Sequence, residues 1–332
     1  MTLTNQEKPT ILVTGATGFI GRHLVDFLLA NRYRVSVYSR RQFSERAYPG
    51  LQAEDWFTGD MADAGALTQA CLTADAVVHL ANLAHAGLSD RVSHYDFNVD
   101  STRVVCEACL AAKTRTLVYI SSALALSPER SAYAQSKRRA EQVLVETVRD
   151  AAAKSGGALN ARILRPANVY GPGMKGNIAG LIRAITARRM PPLPALTNGF
   201  AMVSVHDVCL AIQCVIENAA ASDSPYLITD GELYTPNRVE TAIYTALQRS
   251  QPRWRSPRMV FYAGALLAEA LNRLRPGKGS LGLRTYQNLV SDRPLQIRDS
   301  ETGIGFRPTR TFEDDLPAIL TGEYPVRDQR PG

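Results

Sequence analysis

The chain has few cysteines and no long uninterrupted apolar run. Its 332 residues include five cysteines, all in segments with helical apolar spacing, and no further metal ligands stand at matching spacings. We therefore predict buried free thiols in a reducing, cytoplasmic setting, and no metal site. The apolar stretch 259–271 is interrupted by Glu269 and is too short to span a bilayer. It predicts an amphipathic core helix, with contact at a membrane surface as the alternative.

Other features are also absent from the sequence. The N-terminal segment 1–8 is polar, which predicts no signal peptide, and we find neither an internal repeat nor a low-complexity tract. The net charge is +7, yet the basic residues are scattered as pairs instead of forming one run. This distribution favours an anionic small ligand over nucleic acid. A hydrophobic content of 45% and a charged content of 21% are typical of a globular protein.

A glycine-rich turn follows the first apolar run, Lys8 to Val13, and precedes an amphipathic segment. This order predicts a strand, a phosphate-binding loop and a helix. Gly15 permits the tight turn, Gly18 lets the backbone approach a pyrophosphate, and Gly21 allows the helix to pack closely on the strand. The unpaired N–H groups of the helix N-terminus then face the phosphates.

Apolar strands and amphipathic helices alternate through the first half of the chain. Beyond the first strand, the predicted strands are 34–38, 76–80, 116–120 and 161–164, with helices near 63–74, 90–112 and 133–153. The pattern predicts an α/β fold with a Rossmann-type doubly wound parallel sheet over residues 1–165. Residues 166–332 predict a smaller, mostly helical substrate-binding region, some of whose elements return to the sheet. Its helices are expected at 176–189, 206–218, 236–248, 257–273 and 312–320.

The end of the second strand bears on the choice of dinucleotide. An acid at this point accepts a hydrogen bond from the ribose 2′-hydroxyl, whereas a basic residue accommodates a 2′-phosphate. Here the sequence reads Ser39, Arg40 and Arg41, without an acid. The two guanidinium groups suit charge-assisted hydrogen bonds to phosphate, so NADP(H) is favoured, with NAD(H) as the alternative.

Two further strand ends are candidate cofactor contacts. Asp60 follows a further short strand, predicted as the third of the sheet between 34–38 and 76–80, where it is placed either to accept from the adenine amine or to start a helix. The small residues after the fourth strand, Leu80 to Asn82, would let a cofactor lie across the strand ends. We interpret His79, just before them, as a core histidine and not as a catalyst.

Tyr133 and Lys137 are the strongest candidates for chemistry. They are four residues apart in a predicted helix and therefore share one face. A neighbouring ammonium group stabilises phenolate, so we expect a lowered pKa for Tyr133. Ser122, at the end of the preceding strand, is placed to hydrogen-bond the same substrate oxygen.

Together these motifs resemble the extended short-chain dehydrogenase/reductase family, which includes nucleotide-sugar epimerases, dehydratases and reductases. The resemblance covers nearly the whole chain. It rests on Thr14 to Gly21, Gly59-Asp60, His79 to Ala81, Asn98 to Thr102, Ser121-Ser122, Tyr133 to Lys137, Leu164 to Gly173 and Val205 to Val208.

The resemblance implies a role for each matching residue. Tyr133 would be the general acid and base, Lys137 would hold the nicotinamide ribose and tune Tyr133, and Ser122 would orient the sugar C4 oxygen. A contact with the nucleotide-sugar phosphates is implied for Asn168, and Asn177, Arg183 and Arg284 are further candidate substrate contacts. Cofactor contacts are implied for Gly15, Thr17, Gly18, Phe19, Ile20, Gly21, Ser39, Arg40, Arg41, Asp60, Met61, Leu80, Ala81, Asn82, Asn98, Tyr133, Lys137, Pro166 and Val169. A homodimer that pairs the Tyr133 helix is also implied.

A narrower likeness points to one activity. The segment Gly173 to Asn177 resembles the Gly-x-Lys-Gly-Asn of reductases that act on UDP-4-keto-6-deoxy-N-acetylhexosamines, and 227–236 is similar to that group as well. The resemblance therefore implies NADPH-dependent reduction of the C4 ketone of a nucleotide-activated 4-keto-6-deoxysugar.

Three departures from the family pattern keep alternatives open. The loop from Ser122 to Tyr133 is short, no acid follows the second strand, and Gly199 to Met202 lacks the arginine that epimerases place against the pyrophosphate. That contact is then missing, or is supplied by Arg183, Arg284 or Arg293. The alternatives are a UDP-hexose 4-epimerase with bound NAD, a reductase of a non-sugar ketone, and a non-catalytic NADP-sensing protein.

Overall fold

The computed structural model describes residues 8–83, 91–155, 159–218, 225–264, 266 and 303–322. Within these ranges a seven-stranded parallel sheet has the order β3-β2-β1-β4-β5-β6-β9. The strands are β1 Thr10–Thr14, β2 Arg34–Ser39, β3 Trp56–Thr58, β4 Ala76–His79, β5 Thr116–Ile120, β6 Asn160–Pro166 and β9 Tyr226–Ile228. The doubly wound α/β fold predicted from the sequence is confirmed.

Helices cover both faces of this sheet. The helices are α1 Phe19–Ala30, α2 Ala64–Cys71, α3 Arg91–Ala112, α4 Ala132–Ser155 and α6 Val205–Glu217. Leu24 of α1 and Ile212 of α6 pack on one face, whereas Leu67 of α2, Cys106 of α3 and Leu144 of α4 pack on the other. This two-sided cover changes the interpretation of β2. Polar and apolar residues alternate along the first four positions of β2, a pattern that predicts one exposed face, but every residue from the second to the last position of the strand is buried.

A second, smaller sheet lies in the chain beyond β6. Strands β7 Asn168–Tyr170, β8 Phe200–Ser204 and β10 Leu233–Tyr234 form it in the order β10-β8-β7. Helices α5 Asn177–Thr186, α7 Pro236–Ala246 and α8 Phe312–Thr321 share a separate core with it. The sequence predicted a mostly helical region here, and the structure adds this mixed sheet, since β7 and β10 are too short to give an apolar periodicity.

Asp207 links the end of the described chain to the start of α6. Its carboxylate is fully buried and accepts from Thr309 N, Thr309 Oγ1 and Arg310 N at 3.0, 2.6 and 3.1 Å. Ser204, the N-cap of α6, donates to Asp315 of α8 at 2.6 Å. These bonds fix the second region against the large sheet.

The cysteine and late-helix predictions have different outcomes. Four thiols are buried and Cys214 is half-buried, and all five are free, as the sequence predicted. Burial raises the pKa of the Cys106 thiol to about 12, so it is an inert core group. Residues 258–264 are helical. Position 257 is not helical and position 266 is helical, whereas 265 and 267–273 lie outside the described residues, as do Arg284 and Arg293.

Candidate active site

The glycine loop joins β1 to α1 with the close contacts that its three glycines predict. Gly15 has a φ of +74°, and a Cβ there would lie 2.5 Å from Ala81 N. A Cβ on Gly21 would lie 2.3 Å from Gly15 O, so only glycine lets α1 approach the turn. Gly18 N donates to Gly15 O at 2.9 Å.

The N-terminus of α1 suits a dinucleotide pyrophosphate. Gly18 is its N-cap, no side chain caps it, and its first turn carries no acidic residue. The first-turn N–H groups therefore stay available to an anion, and the helix dipole favours negative charge there. Thr17 directly precedes the N-cap, and Phe19 and Ile20 are the first two residues of α1, so these predicted cofactor contacts lie next to one another.

Strands β2 and β3 are added on one side of β1, and β4, β5 and β6 on the other, so the strand order reverses between β1 and β4. Ligands of open α/β sheets bind at this switch point. Thr14 Oγ1 and His79 Nδ1 are 2.8 Å apart at the ends of these strands, and Leu80 N donates to Thr14 O at 3.1 Å. Leu80 to Asn82 therefore lie directly beside the glycine loop. Asn82 Oδ1 is buried and has no hydrogen-bond partner among the described residues.

His79 is a core residue, as the sequence predicted. It is buried and stacks on Tyr119 with ring centroids 5.7 Å apart. Burial lowers its pKa to about 3, with a smaller contribution from Lys137. The imidazole is therefore neutral at physiological pH.

The candidate 2′-phosphate contacts lie at the end of β2. Ser39 is buried and its Oγ accepts from Arg41 N at 3.1 Å, which shapes the turn. Arg40 and Arg41 are exposed. Trp56 Nε1 holds the turn in place by donating to Arg41 O at 2.7 Å.

The sequence left two roles open for Asp60, and the structure gives one of them, the start of α2, to Asp63. Asp63, not Asp60, is the N-cap of α2 and accepts from Ala66 N at 2.9 Å. Asp60 Oδ1 accepts from Ala62 N at 3.0 Å, and Asp60 O accepts from Tyr38 Oη at 2.9 Å. The carboxylate of Asp60 therefore lies in a turn next to the β2 end, with Met61 buried behind it.

Tyr133, Lys137 and Ser122 lie at the carboxyl end of β5. Two short 3₁₀ helices, Ala123–Leu126 and Pro128–Arg130, fold the short loop that joins β5 to α4. Ser122 is the N-cap of the first, and its Oγ accepts from Leu124 N at 3.2 Å. Lys137 Nζ lies 5.9 Å from the centroid of the Tyr133 ring, so the two side chains share one face of α4.

Lys137 is buried and held by the sheet. Its Nζ donates to Ile120 O at 2.6 Å and lies 4.8 Å from the centroid of the Tyr119 ring. Burial lowers its pKa to about 7, whereas the nearby Glu141 raises it. A small environmental change therefore alters the charge of this amine near neutral pH.

The prediction of a lowered pKa for Tyr133 is wrong for this geometry. Burial raises the pKa of its phenol to about 12. The helical spacing indicated an ammonium neighbour, but it did not indicate that burial makes Lys137 less charged and also disfavours the phenolate of the half-buried Tyr133. Tyr133 is consequently protonated at neutral pH.

Sequence reasoning missed Glu141, which lies one further turn along α4. It is buried and accepts from Ser121 Oγ at 2.6 Å and from Arg165 Nε at 2.8 Å. Its position four residues after Lys137 was the available signal, because that spacing places it on the same helix face. Glu141 thus connects β5, β6 and α4 behind the site.

Other predicted site residues have structural contacts of their own. Asn98 is buried and bridges two elements, because its Oδ1 accepts from Leu83 N at 2.9 Å and its Nδ2 donates to Ser136 Oγ at 3.0 Å. Asn168 Nδ2 donates to Ala201 O at 3.2 Å. Pro166 ends β6 and the half-buried Val169 lies in β7, where the large sheet meets the small one.

Two predicted substrate contacts lie on α5 and not among the residues around Tyr133 and Lys137. Asn177 is the first residue of α5, Arg183 lies in its last turn, and both are exposed. The structure places them in the second region, and Arg284 lies outside the described residues.

The described part of the chain contains no group of three His, Cys, Asp or Glu side chains that would hold a metal ion. It also contains no helix long and apolar enough to cross a membrane.

A doubly wound parallel sheet, with a glycine loop before the uncapped N-terminus of α1, is typical of dinucleotide-dependent enzymes, including those of the oxidoreductase and epimerase type. The model of the NAD dependent epimerase/dehydratase family matches residues 11–229, more than half of the chain. The protein belongs to this family, for which an NAD(P) cofactor is typical.

Individual relatives carry different names. The chain is 35% identical over 202 residues to a ceramide reductase of Caulobacter vibrioides, a match that spans 60% of this chain and 58% of the reductase. It is 25% identical over 276 residues to an N-acetyl-alpha-D-glucosaminyl-diphospho-ditrans,octacis-undecaprenol 4-epimerase of Escherichia coli, spanning 80% of each. The Bordetella bronchiseptica enzyme WbmG, solved with NAD and UDP, matches with a TM-score of 0.69, 18% identity and coverage of 95% and 94%. That last likeness shows the fold.

Proposed function

We propose that the protein is an NADPH-dependent reductase that acts on the C4 ketone of a nucleotide-activated 4-keto-6-deoxysugar. The observation that carries this proposal is the pairing of Tyr133 and Lys137 on one face of α4, at the end of β5 beside Ser122. NADPH, when bound, supplies the hydride. Tyr133 supplies the proton to the carbonyl oxygen, and Ser122 orients that oxygen.

The electrostatics of the site support proton donation. The pKa of Tyr133, raised to about 12 by burial, keeps the phenol protonated before reaction. Lys137 is within 5.9 Å of the ring centroid and, when charged, stabilises the phenolate that remains after the proton has left. A reductase needs a proton donor at this position in every turnover.

The β2 end supports NADPH as the exchangeable cofactor. Arg40 and Arg41 are exposed there, and the sequence offers no acid to hold a free 2′-hydroxyl. A reductase must release its oxidised cofactor after each turnover, whereas an epimerase retains its own. An exposed pair of arginines suits this exchange.

A second candidate is reduction of a ketone carried by a lipid. The segment Gly199 to Met202, which includes the first three residues of β8, lacks an arginine that would bind a sugar diphosphate. The relatives named for ceramide and for an undecaprenol-linked sugar also favour a lipid-borne substrate. The catalytic roles of Tyr133 and Lys137 are the same in both candidates.

The deciding experiment follows NADPH oxidation by the purified protein. The panel contains UDP-, dTDP- and GDP-linked 4-keto-6-deoxysugars and, in a separate arm, ketone-bearing lipids in detergent micelles. We expect turnover with at least one nucleotide sugar. Turnover only in the lipid arm selects the second candidate. Bound stoichiometric NAD with interconversion of UDP-hexoses contradicts both, and so does NADPH binding without turnover in any arm.

A further inference from the structure

Exposed apolar side chains concentrate in one short segment. Among the described residues, nine large apolar side chains are exposed, and five of them lie between positions 254 and 266. Met259 is 85% exposed, Val260 61%, Trp254 58% and Leu266 42%. Contiguous exposure of this kind marks an interaction surface, whereas single exposed apolar residues do not.

The segment is anchored to the body of the protein. Phe261, on the inner side of its helix, packs against the core of the second region, and Ser256 is buried. Arg258 Nη2 donates to Ala195 O at 3.1 Å, and Arg255 pairs with the buried Glu240. The outward apolar side chains are therefore held in place by an inner face that is already packed.

The charge of the segment has one sign. Residues 249–266 contain four arginines, Arg249, Arg253, Arg255 and Arg258, and no acidic residue. Arg253, Arg255 and Arg258 are exposed next to Trp254 and Met259. A tryptophan and aliphatic side chains beside arginines are the composition that lies in the interface of an anionic bilayer.

We propose that the surface formed by Arg253, Trp254, Arg258, Met259, Val260 and Leu266 docks on the headgroup region of an anionic phospholipid bilayer. The apolar side chains enter the boundary between headgroups and acyl chains, and the arginines contact lipid phosphates. The protein lies on the bilayer and does not cross it. This surface is independent of the substrate, since none of its residues belongs to the site around Tyr133.

Vesicle binding by the full-length protein tests this surface. The vesicles contain phosphatidylcholine alone, or phosphatidylcholine mixed with phosphatidylglycerol. The chain has two tryptophans, and Trp56 is only 8% exposed, so a change in emission reports Trp254. We expect co-sedimentation with anionic vesicles, a blue shift of the emission, and affinity about tenfold above that for neutral vesicles, reduced by added salt.

Three variants make the test specific. Met259→Asp with Val260→Asp places charge on the apolar face, and Arg253→Glu reverses one basic charge at an exposed position. Leu72→Asp is the matched control, since Leu72 is 57% exposed on a different helix end. We expect the first two variants to lose vesicle binding and the control to keep it, with NADPH binding and circular dichroism checking that each variant is folded.

Several results would overturn the proposal. One is wild-type protein that stays in the supernatant with anionic vesicles, and another is equal loss of binding in Leu72→Asp. A third is a wild-type protein that does not bind vesicles and is oligomeric in sedimentation velocity, together with a Met259→Asp and Val260→Asp variant that is monomeric. That third result would assign the surface to a second copy of the chain. None of these results depends on turnover, so they are distinguishable from failure of the proposed reaction.

Discussion

Arg165 and Glu141 form a buried ion pair directly behind Lys137. Arg165 Nε donates to Glu141 Oε1 at 2.8 Å and Arg165 Nη2 donates to Glu141 Oε2 at 2.6 Å. Ser121 Oγ completes the cluster at 2.6 Å from Glu141 Oε1. The pair thus joins the end of β6 to α4 and to Ser121, the residue before Ser122. These contacts fix the position of Ser122 and Lys137.

We expect Glu141→Gln to reduce stability and to change the pH profile of turnover. The variant leaves the buried Arg165 charge without its carboxylate, which costs about 3 kcal/mol of unfolding free energy. It also removes the charge that raises the pKa of Lys137, so the Lys137 pKa falls further. Urea unfolding and kcat measured against pH check the two effects, with the basic limb of the profile moving to lower pH.

Ser121→Ala is the matched control for Glu141→Gln. It removes one hydrogen bond to the same carboxylate, at a cost of about 1 kcal/mol, and leaves the charges in place. We expect its pH profile to match that of the wild type. A Glu141→Gln variant that shows neither the stability loss nor the shifted limb would contradict this role.

The buried Lys137 makes a specific contribution to the pH dependence of stability. Its pKa is about 7 in the folded protein and 10.5 as the ordinary value, so between these limits the unfolded chain binds more protons. Stability gained from this group therefore rises with pH from about 7 to 10. Lys137→Met lacks the effect. We expect wild-type protein to gain unfolding free energy relative to Lys137→Met between pH 6.5 and 9.5, and a constant difference would disprove the depressed pKa.

The exposed arginines after β2 are predicted to select the cofactor. Changing Arg40 and Arg41 to Ala removes the cations available to a 2′-phosphate, so KM for NADPH rises about tenfold while KM for NADH changes little. Arg46→Ala is the control, because Arg46 is exposed in the following loop. Equal changes in KM for NADPH and NADH would show that these arginines do not distinguish a 2′-phosphate from a 2′-hydroxyl.

Gly21→Ala tests the close approach of α1 to the phosphate loop. The added Cβ would meet Gly15 O at 2.3 Å and Ala16 Cα at 2.7 Å, and both are backbone atoms that move only with the loop. We expect a loss of about 4 kcal/mol or more in unfolding free energy, together with weaker NADPH binding. Gly264→Ala, whose Cβ meets no atom within 4 Å outside its own helix, should be neutral or slightly stabilising in thermal unfolding, because alanine is the better helix former.

Local sequence features predicted most of the large sheet and the residues at its carboxyl edge. The apolar strand, the spacing of Gly15, Gly18 and Gly21, and the helical spacing of Tyr133 and Lys137 are short-range signals, and each is set by a few consecutive residues. The thiols were predicted as buried for the same reason, since they fall on the apolar faces of amphipathic helices.

The features that the sequence did not predict depend on contacts between distant residues. Glu141 and Arg165 come from different elements, and nothing in either segment names its partner. Strands β7 and β10 have three and two residues, so they carry no measurable period. The raised pKa of Tyr133 follows from burial by the whole fold, which spacing along one helix does not report.

Tyr133→Phe, measured with NADPH and the best ketone substrate, tests the proton-donor role of Tyr133 most directly. The change removes the proton donor and keeps the ring, so kcat should fall by about a thousandfold while the NADPH dissociation constant, measured by fluorescence, stays within about twofold of the wild type. Turnover near the wild-type level in a folded Tyr133→Phe protein would contradict the assignment of Tyr133 as the proton donor.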